Sequence, residues 1–269
     1  FACYRCPYGY PDLNGEAQLE ICKTTCANFV RYVLEKEGDV AAVIAEPARA
    51  VPYLPPPGYW ETVRQACNDN GTLLIFDEIP TGLGKTGKMF ACEHDAVVPD
   101  ILVLGKALGG GILPIAAVLA KAELDVGGEF AFGHYTHEKN PVTAKAALTT
   151  IEIIEQEGLV ENAAKLGKYM LEQLNLLKAE HSTIGDVRGR GLLIGVELVL
   201  DRVEKTPAND LAEDVLYRCL GKGLSFKITM GNVLTLTPPL MIRKAQIDLS
   251  LSIINESLRE AENIFGLTD

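Results

Sequence analysis

The sequence predicts an α/β protein: a mostly parallel sheet flanked by helices, followed by a smaller α+β unit. Three observations carry this. Two short apolar runs, at residues 73–76 and 101–104, are bounded by Gly and Pro, as buried strands of a parallel sheet are. Helical and strand patterns alternate with short joins through the first part of the chain, which is the order of right-handed βαβ units. Beyond a long helical stretch at 159–180 the texture changes to several short strands and two more helices. At 269 residues the chain can bury a sizeable core in two domains. The expected division is 1–157 for the sheet domain, 158–180 for a connecting helix and 181–269 for the small domain.

Taken in order, residues 1–15 are turn-rich and read as loop. Residues 17–36 place apolar groups at helical spacing, from Leu19 through Cys22, Cys26 and Phe29 to Leu34, and Gly38 closes that helix. Residues 40–45 read as a buried strand ending at Glu46-Pro47. A proline-rich loop leads to a helix at 59–70, and Asn70-Gly71 leads to the strand at 73–76. The strand at 101–104 follows, then a further strand at 112–120, a polar and aromatic loop at 129–141 and a helix at 141–156. In the last part, 184–188, 192–198, 224–227 and 232–237 read as strands, and 207–220 and 243–265 as helices. No internal repeat is visible.

Composition narrows the partners. A net charge of −11 and a pI near 4.9 argue against nucleic acid and anionic membranes. No apolar run approaches the roughly 18 residues of a membrane span, and no signal-peptide pattern opens the chain. The opening Phe1-Ala2-Cys3-Tyr4 reads as the middle of something, so a longer natural protein is expected. Seven scattered cysteines suit a reducing cytoplasm. Cys3-x2-Cys6 with Cys22-x3-Cys26 could be ligands of a zinc ion. Only the first pair has a usual spacing and no His lies near, so a loop pair plus two helix thiols one turn apart is preferred, and no metal is expected.

The chemistry concentrates between residues 73 and 111. The first apolar run ends in Asp77 and the second in Gly105-Lys106. If the two strands are parallel neighbours, acid and amine emerge at the same carboxyl edge, where α/β folds bind ligands. Such a pair suits pyridoxal phosphate, which needs a lysine for its Schiff base and an acid to keep its pyridine nitrogen protonated. Gly109-Gly110-Gly111 lets backbone approach a ligand closely. Two other motifs fail. Gly84-Lys85-Thr86 would end a phosphate-binding P-loop, but Ile79 stands where that loop needs its first glycine, and the glycine triplet is not a dinucleotide fingerprint.

Residues 75–90, reading IFDEIPTGLGKTGKMF, resemble the signature of the class III (ornithine/4-aminobutyrate type) aminotransferases, and residues 104–111 resemble that family's Schiff-base segment. Glu46-Pro47, the segment 134–141 around Thr136, Val187-Arg188-Gly189-Arg190-Gly191-Leu192 and Pro238-Pro239-Leu240 match further family stretches in order. The resemblance implies a fold-type I pyridoxal-phosphate-dependent transferase. By it, Lys106 forms the Schiff base and moves the proton, and Asp77 pairs with the pyridine nitrogen. Ile79 packs on the ring, with Glu78 and Pro80 beside it in the cofactor-contacting segment. Thr136 binds the cofactor phosphate across a homodimer interface, and Glu46 and Arg190 face the substrate. The family's phosphate-cradling loop and ring-stacking aromatic would precede Phe1.

Two departures bear on substrate. Pro80 stands where relatives often carry Gln, and it has no side-chain donor for the ring hydroxyl. Thr235 stands where many relatives carry Arg, leaving Glu46 to find a cation elsewhere, with Arg49 one source. Arg190 could grip a carboxylate through its bidentate fork, or Arg188 and Arg190 could only brace their turn. The resulting expectation is an aminotransferase passing an amino group from a small-molecule donor to an oxo-acid. The alternative is an ammonia- or phospho-lyase on the same scaffold, which the absence of an arginine at 235 favours.

Overall fold

The computed structural model describes residues 3–6, 22–130, 136–137 and 140–267. The loop expected over 7–15, the start of the helix expected at 17–36, and most of the segment around Thr136 lie outside them.

The first sheet has the order β1 (Ala42–Ala45), β2 (Leu73–Asp77), β3 (Ile101–Leu104), β4 (Ala117–Ala120). β1, β2 and β3 are parallel, with Ala45 opposite Phe76 and Asp77 opposite Val103. The helices α1 (Thr25–Glu37) and α2 (Tyr59–Asp69) bury their apolar stripes on it. There Trp60 meets Phe76 edge-on at 4.7 Å, beside Leu74 and Val63. The strand expected over 112–120 is shorter and runs antiparallel to β3. Only a tight turn at Lys106–Gly109 and a short loop join the two, and without a crossover helix the chain returns in the opposite sense.

At the amino edge of this sheet Asp100 accepts from the Leu74 amide, Arg64 and Lys121, each at 2.7 Å, and so ties β2, α2 and β4 together. Burial pushes this carboxyl upward, but the amide and the two cations override it and hold it at about 2.

α3 (Pro141–Gln156) and α4 (Leu159–Glu180) begin and end where the periodicity predicts. Asn140 caps the first by accepting from the Val142 amide, with Pro141 in the first turn. The second sheet, β5 (Ile184–Arg190), β6 (Leu193–Leu198), β8 (Val233–Leu236) and β7 (Lys227–Thr229), is antiparallel throughout. Every residue of β6 is buried, and α4, α5 (Asn209–Gly221) and α6 (Lys244–Phe265) pack around a core containing Leu174, Ile194, Leu211 and Ile254. The strand expected at 224–227 falls instead at β7. The Leu224 amide closes the end of α5 on the Cys219 carbonyl, and Leu224 and Phe226 pack against the core as loop residues.

A buried polar knot fastens the end of α4 to α6. His181 places Nδ1 2.6 Å from Glu262 and Nε2 2.7 Å from Asn255, and Thr183 donates to the other Glu262 oxygen. Burial lowers the affinity of this ring for a proton. The hydrogen bonds to Glu262 and Asn255 outweigh that and raise its pKa above 6.5.

The two sheets are joined at a point where only glycine fits. The segment at 84–92 lies against α4 and the β5–β6 turn. The Leu192 amide donates to the Lys85 carbonyl at 2.9 Å, and the Lys85 amine donates to the Pro238 carbonyl at 2.9 Å. A Cβ on Gly167 would overlap the backbone of Gly191, and one on Gly87 would lie 2.9 Å from Cα of Ala164. Gly167→Ala is expected to destabilise the protein by about 3 kcal/mol, because backbone rather than a flexible side chain must yield; urea unfolding checks this. Stability should also fall on both sides of a mid-pH plateau. Asp100 titrates at about 2 when folded against 3.8 ordinarily, so its contribution is complete above 3.8 and lost as pH falls towards 2. His181 is raised when folded, so its contribution is complete below 6.5 and lost as pH rises through its folded value. In calorimetric scans from acid to alkaline pH, Asp100→Asn should flatten the acid limb and His181→Asn the alkaline one.

Candidate active site

Parallel pairing brings Asp77 and Lys106 to one edge. Asp77 is the last residue of β2, and its register partner Val103 lies three residues before Lys106. The Asp77 carboxylate is partly exposed, and its Oδ1 accepts from the Ile79 amide at 3.0 Å, which holds it at the sheet edge. Ile79 closes the space between the two segments. A Cβ on Gly105 would lie 3.4 Å from both Cγ1 and Cγ2 of Ile79, so the glycine lets this side chain seat beside Lys106.

Lys106 has φ +45°, in the left-handed region that a side chain disfavours. The strain, about 1–2 kcal/mol, is imposed by the surrounding turn, in which Leu108 donates to the Gly105 carbonyl and Gly110 to the Ala107 carbonyl. The side chain is exposed and makes no hydrogen bond or ion pair among the described residues. An exposed amine, an oriented acid and an apolar wall between them fit what pyridoxal phosphate requires of a protein.

The neighbouring candidates are placed less uniformly. Glu78 is buried, and its two oxygens accept from the Ala91 and Cys92 amides at 2.6 and 2.8 Å. Burial raises its pKa while those amides oppose the rise, and its charge helps push the Cys92 thiol to about 12. Its carboxylate therefore anchors the 78–92 segment from behind Asp77. Pro80 sits partly exposed in the following turn. Thr136 is exposed, also in a turn, and forms no hydrogen bond among the described residues.

Glu46 follows β1, the strand next to that of Asp77. Its carboxylate accepts from the Ala50 amide at 2.7 Å, and no cation pairs with it among the described residues. Arg49 does not supply the charge: its guanidinium lies 5.7 Å from the Tyr53 ring centre. A cavity of about 610 Å³ opens beside Glu46, walled by Arg49, Tyr53, Tyr59 and Trp60. Thr235 is buried in β8, with its hydroxyl 2.7 Å from that of Thr229. Arg190 is engaged by Asp95 at 3.0 Å, and so ties β5 to the turn at Ala91–His94. Cys6, Cys22 and Cys26 are free thiols, and no group of three or more metal-ligating side chains is gathered among the described residues.

Sequence reasoning did not find Asp95 as the partner of Arg190, nor the contact of Arg188 with the loop after Glu46. Neither has a local signal, since the partners are 95 and 136 residues apart.

Fold and site together define an α/β scaffold of fold type I with a lysine and an aspartate at one edge of its parallel strands. Residues 2–258 match the model of the aminotransferase class-III family, and the chain belongs to that family. It is 44% identical over 246 residues to an (R)-1-hydroxy-2-aminoethylphosphonate ammonia-lyase of Vibrio splendidus (strain 12B01), covering 91% of this chain and 51% of that protein. It is 41% identical to a leucine/methionine racemase of Thermococcus litoralis, covering 97% of this chain and 58% of that protein. Its structure is similar to that of a Bacillus anthracis aminotransferase, with a TM-score of 0.87 and 35% identity over 96% of this chain and 60% of the other. The chain thus spans between half and two thirds of the length of these relatives.

Arg190→Ala is expected to lower stability by about 2 kcal/mol, because it leaves the Asp95 carboxylate without its cation. KM for a carboxylate-bearing substrate should not move. A raised KM at unchanged stability would instead return Arg190 to substrate contact.

Proposed function

We propose that this chain forms the lysine-bearing part of a pyridoxal-phosphate-dependent aminotransferase, which moves an amino group from a small amine or amino acid to a 2-oxoacid. The observation that carries this is the emergence of Asp77 and of Lys106, unpartnered among the described residues, from adjacent parallel strands at one sheet edge. The cofactor, when bound, withdraws electrons from the substrate carbon that bears the amine. In this reading the Lys106 amine takes and returns the proton at that carbon. Asp77, oriented by the Ile79 amide, keeps the pyridine nitrogen protonated through its opposite charge. Ile79 covers the ring face, and Pro80, with no donor, leaves the ring hydroxyl to another group.

Thr136, exposed in its turn, is read as a phosphate contact to the partner subunit of a homodimer. Glu46 is read as a substrate-facing acid. The engagement of Arg190 by Asp95 supports a bracing role over carboxylate recognition. The two sheets with separate cores support a division near residues 157 and 180. Scattered free thiols support a cytoplasmic setting.

A second reading, an ammonia-lyase acting on an amine that lacks an α-carboxylate, is favoured by two observations. Thr235 is buried with its hydroxyl on Thr229, so no cation stands there. The 44% identical relative is itself named as an ammonia-lyase of an aminophosphonate.

Borohydride treatment of the full-length holoprotein should fix the cofactor covalently to the wild type and not to Lys106→Ala, read by intact mass. The holoprotein is then incubated with L-ornithine, L-leucine and (R)-1-hydroxy-2-aminoethylphosphonate, with and without pyruvate. Alanine formed only with pyruvate upholds the aminotransferase. Ammonia released without an oxo-acid selects the lyase. No conversion by a cofactor-loaded wild type overturns both.

A further inference from the structure

The loop between β1 and α2 carries Glu46 and walls the cavity beside it, yet a residue of the second sheet holds it in place. Arg188, in β5, donates from Nε to the Pro52 carbonyl at 2.6 Å, and its guanidinium lies 4.6 Å from the Tyr53 ring centre. Its Nη1 reaches Asp186 and Glu197, each at 2.7 Å, and Glu197 is fully buried and also paired with Arg5. The planar cation is thus fixed on one side by carboxylates and presents a face and one donor to the loop on the other.

The loop is otherwise drawn tight around the same point. Pro52 and Tyr53 are buried, and a Cβ on Gly195 would lie 3.1 Å from Cβ of Pro52. The Arg49 amide donates to the Tyr53 carbonyl at 3.0 Å, the Ala50 amide donates to Glu46 at 2.7 Å, and the Trp60 indole donates to the Pro47 carbonyl at 2.8 Å. Glu46, Pro47, Arg49, Tyr53 and Trp60 all line the cavity. Movement of Pro52 and Tyr53 therefore passes to Glu46 through the Arg49–Tyr53 and Ala50–Glu46 hydrogen bonds, and Trp60 is tied to the same loop at Pro47.

We infer that Arg188 is a positioning residue: through Pro52 and Tyr53 it fixes the loop that carries Glu46, and so the placement of that acid toward the amine substrate. This rests on the reading of the carboxyl edge as the amine site. The bond of Asp77 to Ile79 and the turn around Lys106 do not involve this loop, so the effect falls on substrate binding and not on the proton transfer.

The test uses full-length holoprotein and the best amine of the panel above, with the emission of Trp60, the single tryptophan of this chain, taken as the difference between each protein and its Trp60→Phe counterpart. Arg188→Lys keeps the positive charge for Glu197 but loses the stacked plane and the Nε donor. KM should rise about tenfold with kcat within about twofold, and Trp60 emission should shift to the red. Tyr53→Leu leaves the pairs with Asp186 and Glu197 intact and should reproduce both the KM rise and the red shift of Trp60 emission. A fall in kcat at unchanged KM, or an unchanged Trp60 spectrum in both variants, overturns the proposal. If Arg188→Lys does not fold, Tyr53→Leu decides: a raised KM together with a red-shifted Trp60 upholds it, and an unchanged KM or an unchanged Trp60 spectrum overturns it. If the wild type converts no amine, the functional reading fails, and the Trp60 spectra alone then decide whether Arg188 holds the loop.

Discussion

Because β2 and β3 run parallel and in register, Asp77 and Lys106 leave the sheet on the same side, one as the last residue of its strand and the other two residues past its strand end. Everything that can be said about chemistry depends on that pairing. An antiparallel arrangement would put the two charges at opposite ends of the sheet. The structure secures the pairing at both edges. At the amino edge, Asp100 gathers an amide and two cations from three elements. At the carboxyl edge, the Glu78 amide donates to the Val103 carbonyl, while the Glu78 carboxylate holds the turn at Ala91–His94. A buried carboxylate satisfied by two amides is costly to disturb, so the segment after Asp77 has little freedom.

That same segment is the joint between the two sheets. It emerges from β2, carries Asp77 and Ile79, and then lies against α4 and the β5–β6 turn with almost no room for side chains. Lys85 donates to the Pro238 carbonyl, and burial lowers its pKa, as expected for an amine drawn into an interface. Arg190 and Asp95 add an ion pair across the joint. The second sheet is therefore coupled to the site through backbone contacts and buried charge pairs, and the cavity beside Glu46 takes part of its shape from Arg188.

The site separates what is shared within the family from what distinguishes its members. In the proposed function, Asp77, Ile79 and Lys106 answer needs of the cofactor that are the same for amino transfer, ammonia elimination and racemisation, since each begins at the carbon bearing the amine, and Glu46, Thr235 and the aromatic wall of the cavity concern the rest of the substrate. Among the described residues Glu46 has an amide and no cation, and Thr235 has a hydroxyl partner. Such surroundings favour a substrate with a positive or neutral group at that position over one with a second carboxylate.

By itself the sequence determined the elements whose causes are local: the apolar runs of β2 and β3, α3 with its Asn140 cap, and α4 bounded by Gly158 and His181. It also determined the family and, with it, the lysine and the aspartate. Tertiary structure decided the rest. β4 turned antiparallel because its connection holds no crossover helix. β7 began later than its hydrophobic run because Leu224 was drawn into the end of α5. Glu78, adjacent to Asp77, faces two amides that lie 13 and 14 residues on. Arg188 and Arg190, two residues apart in one turn motif, reach Pro52 and Asp95. A chain reports its own periodicity and caps, whereas the partner of a buried charge depends on which distant segment folds against it.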